Sequence, residues 1–158
     1  MTMLNKSYQE AKKIITENED LNDFIGGRSE KLILKGEQKL NLKFPISYLD
    51  FLKTFGAGSF GAEEIFGVIH DDFENSSVPD AIWYTLSERR ESSLPNSLLV
   101  IYDSGSDDLF CLNFNNLNDT KEPRIVTYTP GVALKRQTYE VMADNFGDFL
   151  LDLVSQEI

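Results

Sequence analysis

His70 is the only histidine in the chain, and it stands beside Asp71 and Asp72. An imidazole next to carboxylates could ligate a metal or move a proton. Transition-metal sites, however, recruit several His or Cys ligands, and the only cysteine, Cys111, is far away in sequence. The pattern predicts an exposed histidine at a loop edge. Cys111, between Phe110 and Leu112, reads as a small buried hydrophobe. As a nucleophile it would need a base, and His70 is the only one on offer. A Ser–His–acid arrangement meets the same bottleneck, and no Gly-x-Ser-x-Gly elbow is present.

Two loops imitate ligand-binding motifs. Asp103-Ser104-Gly105-Ser106-Asp107-Asp108 starts like a calcium loop. It lacks an oxygen ligand at its third position, has Asp108 where such a loop needs glycine, and ends on Phe114 where a bidentate glutamate belongs. It reads as a hairpin turn whose carboxylates can dock a basic partner. Gly56-Ala57-Gly58-Ser59-Phe60-Gly61 resembles a phosphate loop in composition, but no Gly-Lys-Ser/Thr follows and a helix precedes it. It reads as a helix cap and a crossover toward a sheet. With 26 Asp plus Glu, a hydrolytic carboxylate pair is possible by count alone; Glu63-Glu64, Asp71-Asp72 and Asp107-Asp108 read as solvated edges. No metal or cofactor is expected.

Charge narrows the partners. The formal net charge is −11 and the isoelectric point about 4.5. That argues against nucleic acid and against an anionic membrane, and fits a basic protein partner drawn in electrostatically. A single cysteine permits no internal disulfide. The start, MTMLNKSYQEAKK, lacks an apolar stretch of leader length, and no run approaches the ~18 apolar residues of a membrane span. A cytoplasmic location is expected.

The elements that must position these residues follow from periodicity. Leu4, Tyr8, Ala11 and Ile15 mark an amphipathic first helix. Phe24 to Gly27 is a connector. Ser29 caps a second helix to about Leu40, with Gly36 admitting another backbone. Pro45 opens a third helix at its first position, Phe44 packs back on it, and Gly56 ends it; Tyr48, Phe51, Leu52 and Phe55 make its apolar face. Strands are expected over 64–69, 98–102, 108–114 and 124–129, with a helix over 79–90 begun by Pro79, and a last helix on Phe146, Phe149, Leu150, Leu153 and Val154. With helices, then a meander, then a helix, the class is α+β: one domain over residues 1–158, a mostly antiparallel sheet packed by N-terminal helices and a C-terminal helix.

The stretch around the third helix also carries a resemblance. Glu37, Leu40, Phe44-Pro45, Ser47-Tyr48, Phe51-Leu52 and Gly56-Ala57-Gly58 resemble the signature of the SUKH superfamily, with Phe44 in place of its leucine and Gly-Ala-Gly in place of its usual loop. Asp103, Gly105, Asp107, Phe110 and Leu112 are similar to its hairpin pattern, so the resemblance runs from about Ile33 to the last helix. Glu37, Pro45, Tyr48, Phe51, Leu52, Gly56 and Gly58 are then structural signature positions. The superfamily includes fungal cell-wall-assembly regulators and bacterial toxin-immunity proteins, and the chain resembles the YobK-type immunity proteins. It implies a sheet packed on helices and a role in protein association.

Composition and resemblance together suggest a binding module that blocks a cognate toxin. A nuclease toxin would present a basic cleft, which an acidic surface can occupy. The expected contacts are Asp71, Asp72 and Glu74, then Asp103, Asp107 and Asp108, and Trp83 as an aromatic anchor. Trp83 and Tyr84 are equally compatible with a core position. A regulatory scaffold and a carboxylate-dependent hydrolase are the alternatives.

Overall fold

The computed structural model describes residues 3–158; Met1 and Thr2, the first two residues of the segment read for a leader, lie outside it. Helix α1 (Lys6–Glu17) is capped by Asn5, whose side chain accepts the Tyr8 N–H at 2.8 Å. It buries Tyr8, Ala11 and Ile15, as its spacing predicts. Strand β1 (Asn22–Phe24) follows, then α2 (Glu30–Leu40), capped by Ser29 through the Leu32 N–H at 3.1 Å. Asn41 ends α2 in the left-handed region at φ 56°.

Helix α3 (Ile46–Thr54) is the hub. Pro45 is its N-cap rather than its first helical residue; its φ of −67° suits either place, so the two are alike in sequence. The Glu37 carboxylate accepts the Phe44 N–H at 2.7 Å and fixes the turn from α2. Tyr48, Phe51, Leu52 and Phe55 are buried, and the Phe51 ring meets Phe24 at 5.5 Å and Phe146 at 5.5 Å, both edge-on. Each such pair adds about 0.5–1.5 kcal/mol beyond burial. The Tyr48 hydroxyl donates to the Phe66 carbonyl at 2.8 Å inside the core.

The end of α3 is closed by other segments. The Arg28 N–H donates to Leu52 at 2.9 Å, Gly26 to Phe55 at 3.1 Å, Ile25 to Ala57 at 2.9 Å and Val68 to Gly56 at 3.2 Å. Backbones approach closely here. A Cβ on Gly67 would lie 1.8 Å from the Gly56 carbonyl oxygen, and Gly56 itself has φ 79°. The glycine loop is thus a cap and a crossover, with its polar backbone largely spent on structure.

It also holds a strand that periodicity does not predict. β2 (Gly58–Phe60) lies between β1 and β3 (Glu63–Ile65) in an antiparallel three-stranded sheet. The expected strand over 64–69 therefore stops at Ile65. Strands this short have no periodicity to read and persist by pairing. Helix α4 (Ala81–Glu91) starts one residue after its cap, Asp80, so Pro79 precedes the helix instead of opening it. Gly36 of α2 makes room for the Ile82 side chain, 3.1 Å from where a Cβ would sit, and not for a backbone.

A second antiparallel sheet has the order β4-β5-β6-β7, from β4 (Leu98–Asp103), β5 (Leu109–Leu117), β6 (Pro123–Tyr128) and β7 (Val141–Ala143). β7 and a 3-10 turn over Leu134–Arg136 were not foreseen. Ile101 bulges from the β4–β5 ladder, and its carbonyl accepts the Phe66 N–H at 2.9 Å, joining the two sheets. Helix α5 (Phe146–Ser155) packs on α1, where Gly147 leaves no space: a Cβ would lie 2.9 Å from the Tyr8 nitrogen. The class is α+β, as expected, though with two sheets rather than one.

Asp50 on α3 ties α1 down, accepting from the Tyr8 hydroxyl at 2.7 Å and Lys12 at 2.9 Å. Burial alone would raise its carboxyl; the donors from Tyr8, Lys12 and Thr54 outweigh burial and hold it below the ordinary 3.8. A lowered folded value gives stability that is present above the unfolded value and lost as pH falls through the folded one. The urea-midpoint gap between the wild type and Asp50→Asn is therefore widest near neutrality and narrows in acid below about 3.8. Gly67→Ala should cost about 1–3 kcal/mol by overpacking, whereas Ser106→Ala on the exposed hairpin tip stays within about 0.5 kcal/mol; urea unfolding reads both.

Candidate interaction face

Helix α4 is held from three sides. At its start, the buried Asp80 carboxylate accepts the N–H of Ile82 at 2.9 Å and of Trp83 at 3.1 Å, and the Ser76 hydroxyl at 2.9 Å. Burial pushes the Asp80 carboxyl up, against those bonds and the nearby His70. Midway, the Thr85 hydroxyl accepts the Val100 N–H at 3.0 Å, covering the open edge of β4. At the end, Arg89 reaches the carbonyls of Leu40 at 3.2 Å and Asn96 at 3.0 Å. Ala81, Ile82, Thr85 and Ser87 are buried, which leaves Trp83, Tyr84, Glu88 and Glu91 on the outer side.

Trp83 and Tyr84 are half-buried, so neither the pure core reading nor the pure surface one holds. The Tyr84 ring lies on Phe66 at 5.2 Å, and Trp83 stands nearly perpendicular to Tyr84, at 84° and 6.0 Å. The Tyr84 phenol is raised by burial first, then by Asp103 and Glu88. Asp103 also adds to the rise of the Glu64 carboxyl, which burial leads. Asp103 thus acts on both Glu64 and Tyr84, and Glu88 acts on Tyr84, which together outline an acidic, aromatic band.

The bulge at Ile101 decides where Asp103 falls. Val100 pairs with Cys111, but Tyr102 pairs with Phe110 and Asp103 with Leu109. Paired residues share a face, and successive residues alternate. Tyr102 and Phe110 thus share the face packed on Phe149 of α5, at 5.5 and 6.0 Å. Asp103 shares the other face with Val100 and Cys111, toward Tyr84.

The expected acidic contacts differ in what already holds them. Asp71 pairs with Lys35 at 3.2 Å, and Glu74 with Lys39 at 3.5 Å and Arg90 at 3.8 Å, so α2 and the end of α4 already counter their charge. Asp72 accepts from the Asn75 N–H at 3.2 Å. Asp103 accepts the Gly105 N–H at 2.9 Å, Asp108 accepts the Thr129 hydroxyl at 2.7 Å, and Asp107 is exposed. His70 is exposed, with its Nδ1 accepting the Asp72 N–H at 3.2 Å. Cys111 is buried, and burial first, then Glu88, pushes its thiol up. Trp83 and Asp103 are expected from the sequence and lie here; Glu64, expected as a solvated edge, joins them, and Glu88 and Glu91 are not among the expected residues. The signal was available: Tyr84→Glu88 and Ser87→Glu91 are four apart and share a helix face.

Removing the cap should show at the face itself. Asp80→Ala is expected to cost about 1–2 kcal/mol and to loosen the first turn of α4. Trp83 is the only tryptophan, so its emission should shift to longer wavelength in that variant while the protein remains folded by circular dichroism.

No helix among the described residues is long and apolar enough to cross a membrane. The family model described as SMI1-KNR4 cell-wall, SUKH_5, matches residues 1–155, which takes in α1 as well as the region where the resemblance was read. Glu37 at the α2–α3 turn, Pro45 at the cap, Tyr48, Phe51 and Leu52 in the core, and Gly56 and Gly58 in the crossover are the elements that this match spans. A protein-binding role of the immunity or cell-wall-regulator type accords with that match, and by it the chain belongs to the SUKH family.

Proposed function

We propose that this protein is a non-catalytic binding module: a cytoplasmic immunity protein that captures and neutralises a cognate toxin domain. The observation that carries the reading is the band of Glu64, Asp103, Tyr84 and Glu88 beside Trp83, in a chain of net charge −11. Such a face suits a basic surface, the kind a nuclease needs to hold phosphates. Acidic residues speed the encounter, and the aromatic pair supplies residence time. Asp107, exposed on the hairpin that Asp103 opens, adds negative charge to the same loop. Asp71, Asp72 and Glu74 contribute less, since Lys35, Lys39 and Arg90 already counter two of them. The regulatory-scaffold reading is kept because the matched family is described by a cell wall.

Co-expression with the product of the adjacent gene tests this. Growth is rescued if that product is a toxin this protein blocks, and the two co-purify at low salt and separate more readily at high salt. The triple variant Glu64→Gln, Asp103→Asn, Glu88→Gln should slow association about tenfold or more at low salt, with the difference shrinking at high salt. Asp71→Asn should change it little. Equal survival with and without this protein would count against immunity and leave the scaffold reading.

A further inference from the structure

The outer side of α4 carries a concave site, not merely a charged one. A cleft of about 260 Å³ is lined by Val78, Trp83, Tyr84, Ser87, Glu88 and Glu91. That is below the roughly 300–1,000 Å³ of small-molecule pockets and suits a single side chain. Two of its walls are the nearly perpendicular rings of Trp83 and Tyr84. Their faces carry the negative side of the ring quadrupole and attract a cation within about 6 Å. One Glu88 oxygen is taken by the Ser92 hydroxyl at 2.7 Å, which orients the carboxylate and leaves its other oxygen available. Glu91 is exposed at the rim. Among the described residues, neither the Trp83 indole N–H nor the Tyr84 hydroxyl meets a protein partner.

We propose that this cleft receives one arginine side chain of the protein partner, an inference that rests on the binding-module reading above. The guanidinium is planar and weakly hydrated, stacks on aromatic faces, and presents a fork to carboxylates; the lysine ammonium does only part of this. Stacked on an open ring face, its stem would cover the apolar wall at Val78 while its N–H groups reach Glu88 and Glu91. The cleft then acts as a specificity lock within a band that otherwise attracts any basic surface.

The test uses the full chain and the blocked peptide acetyl-Gly-Arg-Gly-amide, with its lysine and citrulline counterparts. Trp83 emission reports the site alone, since no second tryptophan exists. The arginine peptide should give a saturable change, the lysine peptide one about threefold to tenfold weaker, and citrulline none. Glu88→Gln with Glu91→Gln should weaken the arginine peptide about tenfold, and Asp71→Asn should leave it unchanged. Amide shifts in NMR should centre on residues 83–91. An unresponsive Trp83, an equal response to citrulline, or shifts centred on the Asp71–Glu74 loop would overturn the proposal. The peptide titration decides this whatever co-expression yields. Rescue by the wild type together with a failed titration removes the arginine site and spares the immunity reading; a clean titration without rescue does the reverse.

Discussion

The carbonyls at the end of α3 have to be satisfied away from water, and the fold follows from how they are. A buried helix terminus leaves acceptors without intrahelical donors. Here the segment 25–28 and Val68 supply them. That arrangement demands glycines where backbones touch, at Gly56 and Gly67, and it draws β1 alongside β2. Tyr48 adds a bond to Phe66, and Phe66 in turn bonds to Ile101. One short aromatic helix thereby sets the positions of both sheets.

The interaction face inherits its rigidity from that junction. The Gly67 N–H donates to the Pro79 carbonyl and the Gly67 carbonyl accepts the Ala81 N–H, so the segment leaving the junction seats the start of α4. Thr85 and Arg89 fasten the rest of the helix. On the proposed function, little ordering would remain to be done at Trp83, Tyr84 and Glu88 on association, and pre-organisation of this kind lowers its entropic cost. The polar groups that could have competed for ligands are mostly committed inward, Asp80 to its cap and Asp50 to Tyr8 and Lys12.

What was legible in the sequence was whatever had length. The stripes of α1, α3 and α5 and the apolar run of β4 stood out because several turns or residues repeat the same pattern. β1, β2 and β7 have three residues each, too few for a period, and exist only because other segments pair with them. Pro45 and Pro79 marked helix starts to within two residues, because the proline ring tolerates the positions before a helix as well as the first one. On the face, charge could be counted but not located: Asp71 and Asp103 look alike in the chain, and only the fold gives one a lysine and the other a tyrosine.

The bulge at Ile101 has an evolutionary corollary. Parity along a strand is binary, so gain of a single residue in β5 opposite Ile101, which pairs the bulge into a regular ladder, would send Asp103 to the α5 side and Tyr102 to the opposite one with almost no change in composition. Partner preference in such a lineage could turn over by insertion and deletion, and comparisons of residue identity alone would overlook the change.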